Sequence, residues 1–148
     1  MSGFRLLICV DGSRAALAAA RYAVATVAAQ GGEIRAVSVL ENGDTARQVD
    51  ARGRHQRPAA ARLEQSVQAM LHRVTTLGDD REVAVDTAVL RGDPLRAILE
   101  DAREWQPDLI LVGRTGRSGP GSPMVGSLAM HLIEFTEWPV VVVPEPAE

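Results

Sequence analysis

Short apolar runs alternate with helical stripes along the whole chain. Leu6-Leu7-Ile8-Cys9-Val10 has no polar alternation and stops at Asp11-Gly12-Ser13, the pattern of a strand buried on both faces. Ser13 stands where a helix N-cap belongs. Leu17, Ala20, Val24, Val27 and Ala28 then follow at helical spacing until Gly31-Gly32. A second strand is predicted over Ile34 to Leu40, ending in the turn-prone Asn42-Gly43-Asp44. Residues 44 to 58 are polar, rich in arginine and without hydrophobic period, and read as a mobile loop. After Pro58, the residues Leu63, Val67, Met70, Leu71, Val74 and Leu77 keep to one stripe, predicting a helix that ends before Gly78. A third strand falls within Glu82 to Leu90. Gly92-Asp93-Pro94 then opens a helix showing Leu95, Ile98, Leu99 and Ala102 on one side. Asp108 to Val112 reads as a fourth strand, Ser127 to about Phe135 as a helix, and Pro139 to Val143 as a last strand.

Strands alternating with helices require right-handed crossovers, which give a parallel sheet with helices on both faces. The expected fold is therefore a doubly wound α/β domain, one domain over residues 1–148. Its ligand crevice should lie beyond the carboxyl ends of the strands, where the chain order reverses. With the strand order 3-2-1-4-5, that point falls between strands one and four, so the loops after Val10 and Val112 should face each other.

Composition narrows the chemistry. All 16 basic residues are arginine, which excludes a Schiff-base lysine, a pyridoxal site and the lysine of a phosphate loop. Cys9 is the single cysteine, so neither an intrachain disulfide nor a cysteine metal cluster can form, and a reducing compartment is compatible. A net charge of −3 argues against a nucleic-acid binder. Arg47, Arg52, Arg54 and Arg57 have no interleaved aromatics and are flanked by Asp44 and Asp50. The longest uncharged stretch, Ser118 to Ile133, contains glycines and prolines and is too short to span a bilayer. Asp11 and Arg14 interrupt the first apolar run, so the N-terminus reads as mature structure rather than a secretory signal. His55, His72 and His131 lack ligand-like spacing, and His131 reads as a packing residue among apolar neighbours.

The loop after the fourth strand carries Gly113-Arg114-Thr115-Gly116, then nine residues, then Gly126-Ser127 at a helix start. Glycines let backbone N–H groups approach an anion, and a helix N-terminus adds unpaired donors and the positive end of its dipole. Phosphates suit this loop. Asp11 offers an acceptor to the ribose or base of a mononucleotide, and it could equally cap the first helix. For Arg114 and Arg117 the backbone N–H groups are the stronger assignment, with phosphate clamping by either side chain left open.

The Gly-x2-Gly-x9-Gly-Ser spacing at Gly113, Gly116, Gly126 and Ser127 resembles that of the nucleotide-binding universal stress proteins. The resemblance extends to Val10-Asp11-Gly12-Ser13, Gly92-Asp93-Pro94, Pro107-Asp108-Leu109-Ile110 and Trp138-Pro139-Val140-Val141. It implies a Rossmann-like domain of the adenine nucleotide alpha hydrolase type, and an ATP-binding, cytoplasmic, usually dimeric stress-response protein. Carried over by residue, Asp11 and the backbone of Val39 would hold the nucleoside, within a site that includes Gly12 and Ser13. The backbones of Gly113, Gly116, Arg117 and Gly126, with the Ser127 hydroxyl, would take ribose and phosphates, in a site that also includes Arg114 and Leu128. Gly119-Pro120-Gly121-Ser122-Pro123 departs from the bulky apolar residues common in that family's loop. Mg²⁺ bridging the phosphates is compatible with this reading. The run of valines in the last strand would lie at a sheet edge, and pairing with a second copy would cover it. No convincing catalytic base can be placed, so ATP binding without efficient turnover is expected. A nucleotide-free dimeric interaction protein and a slow Mg²⁺-dependent ATPase stay open as alternatives.

Overall fold

The computed structural model describes residues 3–40, 57–114 and 126–146, and the side chains of 57–60 are not among those described. The elements are β1 (Phe4–Cys9), α1 (Arg14–Gln30), β2 (Gly32–Leu40), α2 (Arg57–Asp79), β3 (Val85–Arg91), α3 (Pro94–Trp105), β4 (Leu109–Gly113), α4 (Ser127–Phe135) and β5 (Val140–Val143). The strands form one parallel sheet in the order β3-β2-β1-β4-β5, as expected from the sequence. Leu6 pairs in register with Ile34 on one side and Leu109 on the other, placing β1 at the centre.

Side-chain alternation on these buried strands supplies two cores. On one face, Leu6, Ile8, Ile34 and Leu111 pack beneath the alanine-rich side of α1 and beneath Val67, Leu71 and Val74 of α2. On the other, Leu7, Cys9, Val37 and Ile110 pack beneath Ile98 and Ala102 of α3 and Ala129 and Leu132 of α4. Helix α1 starts where Ser13 accepts the Ala16 N–H at 3.0 Å, and it stops at Gly31, whose φ of 81° ends the helical path.

Element boundaries differ from the sequence reading by a residue or more at every strand and at α2, with β2 starting at Gly32, β3 ending at Arg91 and β4 running Leu109–Gly113. β1 spans Phe4–Cys9, while Val10 has left the strand but still donates its N–H to Val37 at 2.8 Å. Helix α2 starts at Arg57 and runs through Gly78 to Asp79. Gly78 marks a close approach there, since a Cβ would sit 2.7 Å from the Val83 carbonyl oxygen. β5 starts at Val140, after Pro139, whose carbonyl accepts the Ile110 N–H at 2.9 Å. Of the arginine-rich stretch 44–58, read as a loop, residues 44–56 lie outside the described residues, while Arg57 and Pro58 belong to the first turn of α2. Among the described residues no helix is long and apolar enough to cross a membrane.

Candidate functional site

The chain leaves β1 toward β2 and leaves β4 toward β5, so the crevice opens where these central strands end side by side. A cavity of about 450 Å³ lies there, between the strand ends and the first turns of α3 and α4. Its apolar lining includes Cys9, Val37, Ile98 and Val112, and its polar groups include Asp11, Asp93, Ser127 and His131. A pocket of this size, mostly apolar with few convergent polar groups, suits a small organic ligand.

Six of the residues expected at the site, Asp11, Val39, Gly113, Gly126, Ser127 and Leu128, line this cavity. Gly12 and Ser13 shape the loop instead. Gly12 has φ +85°, which favours glycine, and a Cβ there would meet Met70 Sδ at 2.6 Å. Asp11 Oδ1 accepts the Ser13 N–H at 2.9 Å, bracing the turn, while the Ser13 hydroxyl serves as the helix cap. Gly116 and Arg117 lie outside the described residues.

Two backbone amides expected to serve a ligand are engaged inside the fold. The Arg114 N–H donates to Val143 at 2.7 Å, extending the ladder between β4 and β5, and the Gly126 N–H donates to the Arg114 carbonyl at 2.6 Å. Gly113 also has a packing reason, because a Cβ would stand 2.8 Å from the Ala16 amide nitrogen and from Ala15 atoms. The donors lie one step further along the chain. Gly126 makes no side-chain cap bond, and the first intrahelical bond of α4 runs from the Met130 N–H to the Gly126 carbonyl at 3.0 Å. The amides of Ser127, Leu128 and Ala129 therefore precede the helical ladder at the cavity wall, with the positive end of the helix dipole behind them. Arg114 Nε is shielded from solvent and makes no hydrogen bond.

The sequence reading did not place Asp93, Pro94, Leu95 and Ile98 of the α3 start, nor His131, on the cavity. Two signals pointed there: Gly92-Asp93-Pro94 is a turn at the carboxyl end of a strand, and His131 lies one helical turn beyond Ser127. His131 is exposed rather than packed into the core, with its ring centroid 6.3 Å from that of Phe135. Among the described residues no group of three or more His, Cys, Asp or Glu could hold a metal ion.

Cys9 lies at the base of this cavity. Burial first, and then the negative charges of Asp11 and Asp101, push its thiol from 9.0 up to about 12. The neutral thiol is a small core group without nucleophilic character, and the folded protein should resist alkylation at pH 8 until it is denatured. Linkage fixes the pH dependence. The contribution of this thiol to stability is fully present below about pH 9, where it is protonated folded or unfolded, and is lost as pH rises toward 12. Urea denaturation at pH 8 and pH 10 should show a smaller loss for Cys9→Ala than for the parent chain. An equal loss in both would assign the alkaline sensitivity elsewhere.

The sheet order and the crevice at its switch point define a doubly wound α/β domain with an open cavity at the carboxyl ends of its central strands. Residues 4–144 match the model of the universal stress protein family, and the chain belongs to that family. A universal stress protein of Methanocaldococcus jannaschii is 29% identical over 142 residues, covering 96% of this chain and 82% of the relative. A solved universal stress protein in complex with cAMP superposes with TM-score 0.70 at 18% identity, over 99% of this chain and 100% of that one. The universal stress protein from Archaeoglobus fulgidus in complex with dAMP gives TM-score 0.66 at 18% identity, over 97% and 99% of the two chains.

Proposed function

We propose that this chain is an ATP-binding regulatory module of the stress response, acting in the cytoplasm. The carrying observation is the uncapped N-terminus of α4 on the wall of the apolar cavity. Phosphates placed there meet the amides of Ser127, Leu128 and Ala129 and the Ser127 hydroxyl. Arg114, whose Nε is shielded and without a hydrogen bond, would supply a cationic partner from the end of β4. The base and ribose then extend over the apolar wall toward Asp11 and the Val39 backbone. Relatives crystallised with cAMP and dAMP support an adenine nucleotide. Gly116 and Arg117 belong to the same proposal, as part of the loop joining Arg114 to Gly126. Mg²⁺ would be held chiefly by the phosphates, which suits a site without a dedicated cage of carboxylates among the described residues. The proposed activity is binding, read out as a change of partner surface or dimer state, rather than turnover.

A homodimer through β5 is part of this reading. The strand lies at the sheet edge with all four valines half-buried, and Met130 and Ile133 are exposed on the neighbouring α4. Edge-to-edge pairing of two copies would satisfy the outer row of backbone groups.

Ser127→Pro tests the site. Ser127 is the first helical residue, where proline is well tolerated, and Gly126 at φ −66°, ψ 160° already has the extended backbone that precedes proline. The substitution deletes one amide donor and the hydroxyl without disturbing the helix. ATP affinity measured by calorimetry should fall about 100-fold, the loss of two charge-assisted hydrogen bonds, with the melting temperature unchanged. Affinity equal to that of the parent chain would refute the phosphate site. No saturable binding by the parent chain at millimolar ATP would leave the nucleotide-free interaction protein as the reading.

A further inference from the structure

Two helices present their N-termini to the cavity, and they differ in what they can accept. α4 offers uncapped amides. α3 is closed. Its N-cap Asp93 accepts the Arg96 N–H through Oδ2 at 3.0 Å, and Pro94, the first helical residue, has no N–H to give. The Asp93 carbonyl accepts the Ala97 N–H at 2.9 Å, which starts the helical ladder. An anion approaching α3 would therefore meet a carboxylate and, within the first helical turn, a single unspent amide, that of Leu95. Asp93 nevertheless stands on the cavity wall, exposed, with Oδ1 lacking a protein partner among the described residues. Gly92, at φ +114°, adopts the left-handed backbone that delivers Asp93 to this position from the end of β3.

The cavity is thus polarised. One helix end invites negative charge, and the other carries negative charge of its own. A ligand with an anionic tail and a neutral, donor-bearing head has only one favourable orientation between them. A ligand with anions at both ends has none.

On the footing of the nucleotide reading above, we propose that Asp93 is a specificity-determining residue of this site. It bars phosphate from the second helix N-terminus, and its spare carboxylate oxygen accepts an N–H or O–H from the nucleoside. It thereby sets the direction in which the nucleotide lies and selects ligands anionic at one end only. Asp11 acts differently, because one of its oxygens is committed to bracing its own turn and it caps no helix.

The test compares the full-length parent chain with Asp93→Asn and Asp93→Ser by calorimetric titration with ATP, adenosine, inosine and inorganic tripolyphosphate. Asn and Ser both cap helices well, so α3 and the melting temperature should be preserved while the charge is removed. Adenosine affinity should fall about 10-fold with loss of a charge-assisted acceptor, while tripolyphosphate affinity rises several-fold as the second helix end opens. A loss confined to adenosine assigns the acceptor to the base amino group, which inosine lacks. A loss shared with inosine assigns it to the ribose. Either pattern supports the proposal. A parent chain that binds ATP, with variants unchanged toward both adenosine and tripolyphosphate, would overturn it while leaving the nucleotide reading intact. A parent chain that binds neither ATP nor adenosine would overturn both.

Discussion

Gly113→Ala is expected to cost about 3 kcal/mol of folding stability, and Gly113→Val to leave little folded protein at 37 °C. The Cβ added by alanine would lie 2.8 Å from the Ala15 carbonyl carbon, the Ala15 Cβ and the Ala16 amide nitrogen. Two of these atoms are helix backbone, which cannot swing aside as a flexible side chain would, so α1 itself must move. That helix lies close on the sheet because Ala15, Ala16, Ala19, Ala20 and Ala23 form its buried side. Gly113 continues the same small-residue surface from the strand. A glycine in a strand is usually improved by alanine through chain entropy, by roughly 0.5–1 kcal/mol, and the clash exceeds that gain. Urea denaturation should show a lower midpoint with an unchanged m-value. If Gly113 served only the ligand, alanine would weaken ATP binding at constant stability, and that result would contradict the packing account.

This glycine shows where the sequence was legible and where it was not. The alternation of apolar runs and helical stripes carried the strand count, the parallel sheet and the switch point, because handedness and crossover rules leave few alternatives. Asp11 and Ser127 were found for the same reason: each follows or opens an element at the carboxyl edge of the sheet. The fate of individual amides was hidden. Arg114 loses its N–H to Val143 only because β5 lies beside β4, a pairing between residues distant in the chain. The spacing Gly113, Gly116, Gly126, Ser127 marks the loop but cannot distinguish a glycine needed by α1 from one that bares an amide. Asp93 was visible as a turn signal, yet its place on the cavity depends on how far α3 leans toward α4. Gly78, read as a helix stop, lies one residue before the last of α2, because α2 abuts the start of β3 closely enough to require a glycine there.

Arg35→Ala should be the most damaging substitution outside the cavity, at about 3–5 kcal/mol. Arg35 sits in β2 between Ile34 and Ala36 and reaches across the sheet face to α3. There its Nε and Nη2 bind Asp101 in a two-pronged pair at 2.8 and 2.7 Å, while Nη1 binds Asp86. Asp101 is 7% exposed, so removing the guanidinium would strand a carboxylate away from water. The hydrogen bond to Asp101 is the main cause holding the Arg35 guanidinium charged, pushing it above its ordinary range against the opposing effect of burial. Asp86 contributes little by comparison, being 63% exposed and screened by solvent. The loss therefore belongs to one pair, which makes a double-mutant cycle informative. Arg35→Met with Asp101→Leu replaces the pair by apolar groups of similar bulk, and the double variant should recover to within about 1 kcal/mol of the parent chain. The pair also ties β2 to the helix that carries Asp93, so Arg35→Ala should weaken adenosine binding as α3 loosens, whereas the double variant should restore it. Stability of Arg35→Ala within 1 kcal/mol of the parent chain, by urea denaturation, would mean that Asp101 finds water or another donor and that α3 is held by its apolar stripe alone.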